Sequence, residues 1–161
     1  MSFSTVANSI EELPTTEVML SMSGLDFMRG VLTGELSGPP IGRTLNFTLT
    51  EVEEARVVFE GTPQFEATNP LRTVHGGWYG TILDSCMACA VMTIVAKGSF
   101  YTTLEFKINI VRNLPLGTKV RAVGIVDHAG RSTGVAHGEI RGIEDDRLFA
   151  TGSTTCMIMK S

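Results

Sequence analysis

The sequence reads as an α+β domain in which an antiparallel sheet of about six strands wraps one long helix. Three observations carry that expectation. Residues 77–98, GWYGTILDSCMACAVMTIVAKG, are small or apolar nearly all round, as in a helix enclosed on most sides by protein. The chain beyond Gly98 breaks into four stretches of strand-like patterning separated by polar turns, and a hairpin pattern lies before the helix. An antiparallel sheet that buries a single helix is the packing that satisfies all three.

Taken in order, residues 1–22 are expected to form a flexible N-terminal arm and residues 23–161 a single domain. From Ser23, a capping serine precedes Leu25, Met28, Val31 and Leu32 at near-helical spacing, which predicts a short amphipathic helix ending around Gly34 to Pro39. Residues 46–52 and 55–62 are rich in β-branched and aromatic side chains, with Glu53-Glu54 as the turn between two strands. The chain is polar and irregular from Pro63 to His75, and the long helix follows. Next comes a long strand in which Phe100, Thr102, Leu104, Phe106, Ile108 and Ile110 share one face by period-two alternation. Strands at 118–127, 132–143 and 147–159 complete a four-stranded meander, with turns at His128-Ala129-Gly130-Arg131 and Glu144-Asp145-Asp146.

Bulk properties exclude several functions. A chain of 161 residues with a net charge of −4 lacks the basic stripe of a general nucleic-acid surface. The apolar stretches are too short or too interrupted to span a bilayer, and the acids near the N-terminus do not suit a secretory signal, so a cytoplasmic protein is expected. Cys86, Cys89 and Cys156 leave one cysteine unpaired in any scheme. Cys86 and Cys89 sit well inside the helix and not at its start, which favours packing over redox chemistry. The histidines at 75, 128 and 137 have no metal-site spacing, so no metal and no separate cofactor is expected. An anionic group could be held by local bases such as Arg72, Lys107, Arg112 and Arg131.

Asp84 is the most informative residue. A carboxylate in the middle of an apolar helix costs several kcal/mol to desolvate unless it is paired or faces a cleft. The alternative is that Asp84 caps a shorter helix beginning at Ser85. The second feature is His75-Gly76-Gly77 at the helix start, where backbone N–H groups are open to a ligand and the helix dipole favours negative charge, including a developing oxyanion.

The segment NPLRTVHGGWYGTILD, residues 69–84, resembles the active-site segment of the hotdog-fold acyl-CoA thioesterases of the phenylacetate-pathway (PaaI-like) and thioesterase-superfamily type. In that family an Asn lies six residues before the His of an HGG and an acid lies nine after it; Asn69, His75 and Asp84 fall at those separations. YTTLEFKINIVRNLPLG and VDHAGRS resemble the family's strand and its cofactor-side turn, so the similarity runs over about residues 23–159. The resemblance implies a hotdog fold and the hydrolysis of an acyl-CoA to a free acid and coenzyme A, the latter being part of the substrate. It further implies that the Gly76 amide polarises the thioester carbonyl, that Asn69 positions substrate or water, and that Asp84 is the general base or the nucleophile. His75 is implied to orient the loop on the sulfur side, and Thr103 falls where some relatives carry a Ser near the acid. Gly77, Arg112, Gly130, Arg131 and Ser132, with Lys107 beside them, are the candidates for contact with coenzyme A.

Geometry adds a constraint. Gly76 and Asp84 are eight residues apart, about 12 Å along a helix, so they cannot both touch one thioester carbon. The site is therefore expected to combine Asn69 and Gly76 of one chain with Asp84 and Thr103 of another, in a homodimer and in a dimer of dimers. The acyl pocket is expected beside Trp78, Met87 and Val91 and the partner chain. Two rival readings are a non-catalytic acyl-CoA sensor and an enoyl-CoA hydratase; for the latter, the His follows Pro70 by five residues, where a closely spaced Pro-x-His is required.

Overall fold

The computed structural model describes residues 5–161, and whatever is expected of the first four residues of the arm lies outside it. One six-stranded antiparallel sheet, with a 12-residue and a 13-residue strand side by side at one edge, packs on one long helix in an α+β arrangement. The elements run α1 (Thr16–Leu20), α2 (Gly24–Thr33), α3 (Ile41–Leu45), β1 (Phe47–Glu53), β2 (Arg56–Gly61), α4 (Gly76–Thr93), β3 (Ser99–Ile110), β4 (Val120–Ala129), β5 (Thr133–Gly142) and β6 (Leu148–Lys160), with short 3-10 turns at Ile10–Glu12 and Phe65–Ala67.

Local chemistry explains most boundaries. Ser23 caps α2 by accepting from the Asp26 N–H at 3.1 Å, and Gly34 ends it at φ 80°. The β1–β2 turn falls one residue later than expected, at Glu54-Ala55, because the Ala55 N–H donates to the Thr93 hydroxyl at the end of α4 over 2.8 Å. Ala55 takes φ 64° to do so. The helix stops at Thr93 and not near Gly98, since Ile94–Gly98 turns back into β3 with Gly98 at φ 78°.

Two expectations require correction. Strands β3 to β6 do not form a simple meander: the sheet order is β1-β2-β4-β5-β6-β3, so β3 pairs with β6 and not with β4. Residues 111–119 are too long and irregular for a tight hairpin, and they carry the chain across the sheet before β4 begins. Nor do Phe100 to Ile110 keep one face. Leu104 is an extra residue between the pairs Thr103↔Cys156 and Glu105↔Thr155, a β-bulge that shifts the alternation. Beyond it Phe106, Ile108 and Ile110 lie opposite Thr154, Gly152 and Ala150, on the helix side with Thr103.

The segment expected as a loose arm is held down from Thr5 onward. Ala7 is buried, its N–H donates to Gly38 O at 3.0 Å, and the Arg43 guanidinium binds Asn8 Oδ1 and Ala7 O. The reason is that α2 and β1 leave an apolar face that this segment covers.

The core lies between α4 and the concave side of the sheet. Trp78, Ile82, Leu83, Met87 and Val91 are buried there. Close approach depends on a row of glycines, Gly124↔Gly138↔Gly152, running across β4, β5 and β6. A Cβ at Gly124 would stand within van der Waals overlap of Cys86 O, and one at Gly138 would lie 2.8 Å from Met87 Cγ. Here the backbone of the sheet touches the helix directly.

Candidate active site

The loop before α4 is built around Asn69. Its Oδ1 accepts from the Leu71 N–H at 2.9 Å and the Thr73 N–H at 3.2 Å, while Nδ2 donates to the Thr73 hydroxyl at 2.8 Å. This Asx-type arrangement forces the tight turn in which Arg72 has φ 61°. Asn69 thus shapes the loop that presents His75, and its Oδ1 is occupied by that task.

His75 is the N-cap of α4. Its Nδ1 accepts from the Gly77 N–H at 2.9 Å. A ring nitrogen that accepts carries no hydrogen, so this cap leaves Nε2 as the ring's N–H donor. The Gly77 amide, expected to face the cofactor, is consumed by this cap. Gly76 is different. It occupies the first helical position, whose N–H has no acceptor within the helix. A Cβ there would meet only Ile110 Cδ1, at an ordinary 3.6 Å, and the residue has no positive φ. Neither packing nor backbone conformation requires glycine at 76, and its surroundings leave the amide open to approach.

Asp84 sits in the middle of α4, not at a cap, so the reading of a shorter helix beginning at Ser85 is excluded. Its Oδ1 accepts from the Thr103 hydroxyl of β3 at 3.2 Å. Burial raises the carboxyl pKa above its ordinary value, and the Thr103 hydrogen bond opposes that rise. The result is a half-buried carboxylate, a better proton acceptor than a solvated one, held by one hydroxyl. The neighbouring Cys86 and Cys89 are free thiols whose pKa values burial raises, Cys89 to about 12, so neither is a thiolate at neutral pH.

Within one chain the two halves stay apart. Gly76 lies beside Ile110 at one end of β3, and Asp84 lies beside Thr103 towards the other. The bases expected to hold coenzyme A divide in the same way. The Arg112 N–H bonds Phe149 O, at the Gly76 end; the Arg131 turn is tied to β6 through the bond from Ile158 N–H to Ser132 O, at the Asp84 end. Those two attachment points on β6 are about 30 Å apart along the strand. Arg131 and Ser132 are exposed, and the Gly130 N–H is taken by Thr133 O at 2.7 Å. Lys107 is exposed on β3.

β3 is an edge strand, and its apolar side chains remain uncovered: Leu104 is 56% exposed, Phe106 45% and Ile110 46%. A long apolar edge of this kind is a place for another chain to pair.

Trp78, Met87 and Val91 do not line an acyl pocket. Trp78 donates through Nε1 to Leu45 O at 2.8 Å, and Met87 and Val91 pack on the glycines of β5 and β6. The cavity lies on the flank of α4 away from Met87 and Val91. It measures about 600 Å³ and is bounded by Ser85, Cys89 and Met92 of the helix, Thr103 of β3, and residues of the N-terminal segment and α2. The spacing of 85, 89 and 92 is a helical stripe one residue on from Asp84, a signal present in the sequence but hidden by the uniformly apolar character of the helix.

Comparison with known proteins agrees with this geometry. The sequence profile of the thioesterase superfamily matches residues 71–149, from the Asn69 loop through α4 and into β6. The chain is a hotdog-fold protein of the thioesterase superfamily. Among solved structures, this hotdog chain is similar to a putative thioesterase from Ralstonia eutropha described as phenylacetic acid degradation-related. The two share 26% identity and a TM-score of 0.74 over 81% of this chain and 98% of the other. It is similar too to a thioesterase family protein from Silicibacter pomeroyi, at 24% identity and TM-score 0.70, covering 76% and 90% of the two chains. A variant of the phenylacetic acid degradation protein PaaI from Thermus thermophilus shares the fold at 22% identity and TM-score 0.67, covering 73% and 97%. No curated protein matches significantly. Among the described residues no helix is long and apolar enough to cross a membrane.

Proposed function

We propose that this thioesterase-superfamily chain hydrolyses acyl-CoA thioesters at a site made by two copies. The observation that carries the reading is Asp84: a half-buried carboxylate in an apolar helix, its one recorded hydrogen-bond partner the Thr103 hydroxyl. Such a group is costly to fold and is retained where it does chemistry.

In this reading Asp84 takes a proton from a water molecule, and the water oxygen bonds to the thioester carbon. Negative charge gathers on the carbonyl oxygen and is received by the Gly76 N–H of a second copy, at the positive end of its α4. The tetrahedral intermediate then expels the sulfur of coenzyme A. The sulfur leaves as a thiolate that accepts a hydrogen bond from His75 Nε2–H, Nδ1 being committed to the Gly77 cap, and the proton that Asp84 took from water passes through solvent to that thiolate, which restores the carboxylate. Thr103 holds the carboxylate in position, and Asn69 holds the loop.

The exposed apolar edge of β3 supports a dimer, and antiparallel pairing of two copies there would bring the Gly76 end of one against the Asp84 end of the other. That pairing also unites Arg112 of the first copy with Arg131 of the second, which supports a coenzyme A contact shared between subunits. The direct test is thiol release from a panel of acyl-CoAs by the wild-type protein and by Asp84→Asn. Turnover of at least one acyl-CoA, lost by about 10²–10⁴-fold in the variant, supports the reading; full activity in the variant refutes it.

A further inference from the structure

We infer that the cavity between α4 and the N-terminal segment receives a flexible medium-chain aliphatic acyl group; the inference rests on the hydrolase reading for the position of the thioester. The cavity adjoins the proposed chemistry, because Thr103 both lines it and bonds Asp84, and Ser85 lines it one residue on. From there it follows the α4 stripe Ser85, Cys89, Met92. Those seven residues of helix span about 10 Å. Extended alkyl chains built from bonds of about 1.5 Å advance roughly 1.3 Å per carbon, so about eight carbons fill that length.

Near Met92 the space is bounded by α2, whose Phe27, Met28 and Val31 line it. α2 begins hard against the C-terminal turn of α4: the Gly24 N–H donates to Val95 O at 2.9 Å, and there is no room for a Cβ against Met92 O. The wall opposite α4 is made by the N-terminal segment and α2, with Leu13, Met19, Phe27 and Met28 facing the space. Met19, Met28 and Met92 are unbranched and adapt to a flexible tail, and Phe27, Phe47, Phe59 and Tyr101 add fixed apolar surface around it. The one cationic side chain on the wall, Arg43, is tied back to Asn8 and Ala7. Among the described residues no carboxylate lines the cavity, and with Arg43 held elsewhere the lining suits an uncharged, apolar chain end.

The test uses S-alkyl thioethers of coenzyme A, which cannot be hydrolysed, titrated calorimetrically onto the full-length protein. Affinity should rise roughly fourfold per methylene and level off near eight carbons. Cys89→Phe should move the break to about four carbons, because only about 6 Å of helix separates positions 85 and 89. Met92→Ala should move it to longer chains. Shifts in opposite directions cannot arise from a general loss of folding, which circular dichroism checks in parallel. Length-independent affinity, an unmoved break in both variants, or a phenethyl thioether that binds as well as octyl and ignores Cys89→Phe would each overturn the inference. Tight, length-dependent binding without turnover of octanoyl-CoA would overturn the hydrolase reading and leave the cavity assignment standing. Turnover without length dependence would do the reverse.

Discussion

The composite site can be tested by mixing two inactive proteins. Gly76→Pro replaces the N–H proposed to receive the carbonyl oxygen with a ring carbon and leaves the helix start intact. Proline suits the first helical position, the preceding His75 already has the extended φ −64°, ψ 138° that a proline demands, and the only atom near a Cβ there is Ile110 Cδ1 at 3.6 Å. Losing an oxyanion donor should cost about 10²–10³-fold in kcat. Asp84→Asn removes the base, on the other half. If Gly76 and Asp84 of one chain served one site, no mixture could recover. If they serve different sites, random reassortment makes about half the dimers mixed, and each mixed dimer carries one intact site and one doubly damaged site. The mixture should then regain about a quarter of wild-type activity. The assay is thiol release after the two variants are unfolded together and refolded, or co-expressed with different tags and purified through both. Activity that stays at the level of the separate variants, in material shown to contain mixed dimers, would refute the argument from the 12 Å helical separation.

Further outcomes follow from individual contacts. Since burial raises the Asp84 pKa above the ordinary 3.8, its folded state resists ionisation. Stability is then fully present below 3.8 and is lost as pH rises through the folded value, so Asp84→Asn should melt higher than wild type at neutral pH and lose that advantage below about pH 4; melting curves across pH check the sign. Tyr79→Phe strands the Leu114 N–H, which donates to Tyr79 Oη at 2.9 Å in a buried setting. That should cost about 2 kcal/mol, a fall of about 4–8 °C in thermal midpoint. Gly124→Ala drives a methyl into Cys86 O and should cost about 3 kcal/mol because backbone cannot yield cheaply; an unchanged midpoint would mean that helix and sheet can separate. Leu104→Asp and Phe106→Asp on the exposed edge should leave the monomer folded but abolish the dimer, measured by analytical ultracentrifugation.

The fold class was legible because one long, largely apolar run follows His75 and strand-like stretches separated by polar turns follow Gly98. The apolar run after His75 has room for one enclosed helix only, and the hairpin and later strands sit where their turn residues put them. What could not be read were features set by single contacts at a distance. The bulge at Leu104 arises from pairing with β6, some fifty residues later, and nothing in the alternation of Phe100 to Ile110 announces it. The edge position of β3 depends on which strand it meets, not on its own residues. Site residues followed the same division. Asp84 stood out as a charge in the wrong place, and Gly76 and His75 as a helix start. Trp78, Met87 and Val91 were misassigned because a helix apolar on every side gives no indication of which side faces a void. The docking of Val6, Leu13 and Met19 was invisible, since a polar-looking arm with scattered apolar residues has no period.

The row of glycines beneath α4 has a consequence for how such a molecule can change. On that side helix and sheet meet backbone to side chain with no slack, so the height and rotation of α4, and with them the spacing of Gly76 and Asp84, are not adjustable by ordinary substitution. On the cavity side the helix faces the N-terminal segment and α2 as well as Phe47, Leu49 and Phe59 of the sheet, with open space between them. In the proposed reading the packed side fixes where the reacting groups stand and the open side sets which acyl chain fits, so substitutions along α1 and α2 can change the second with less effect on the first.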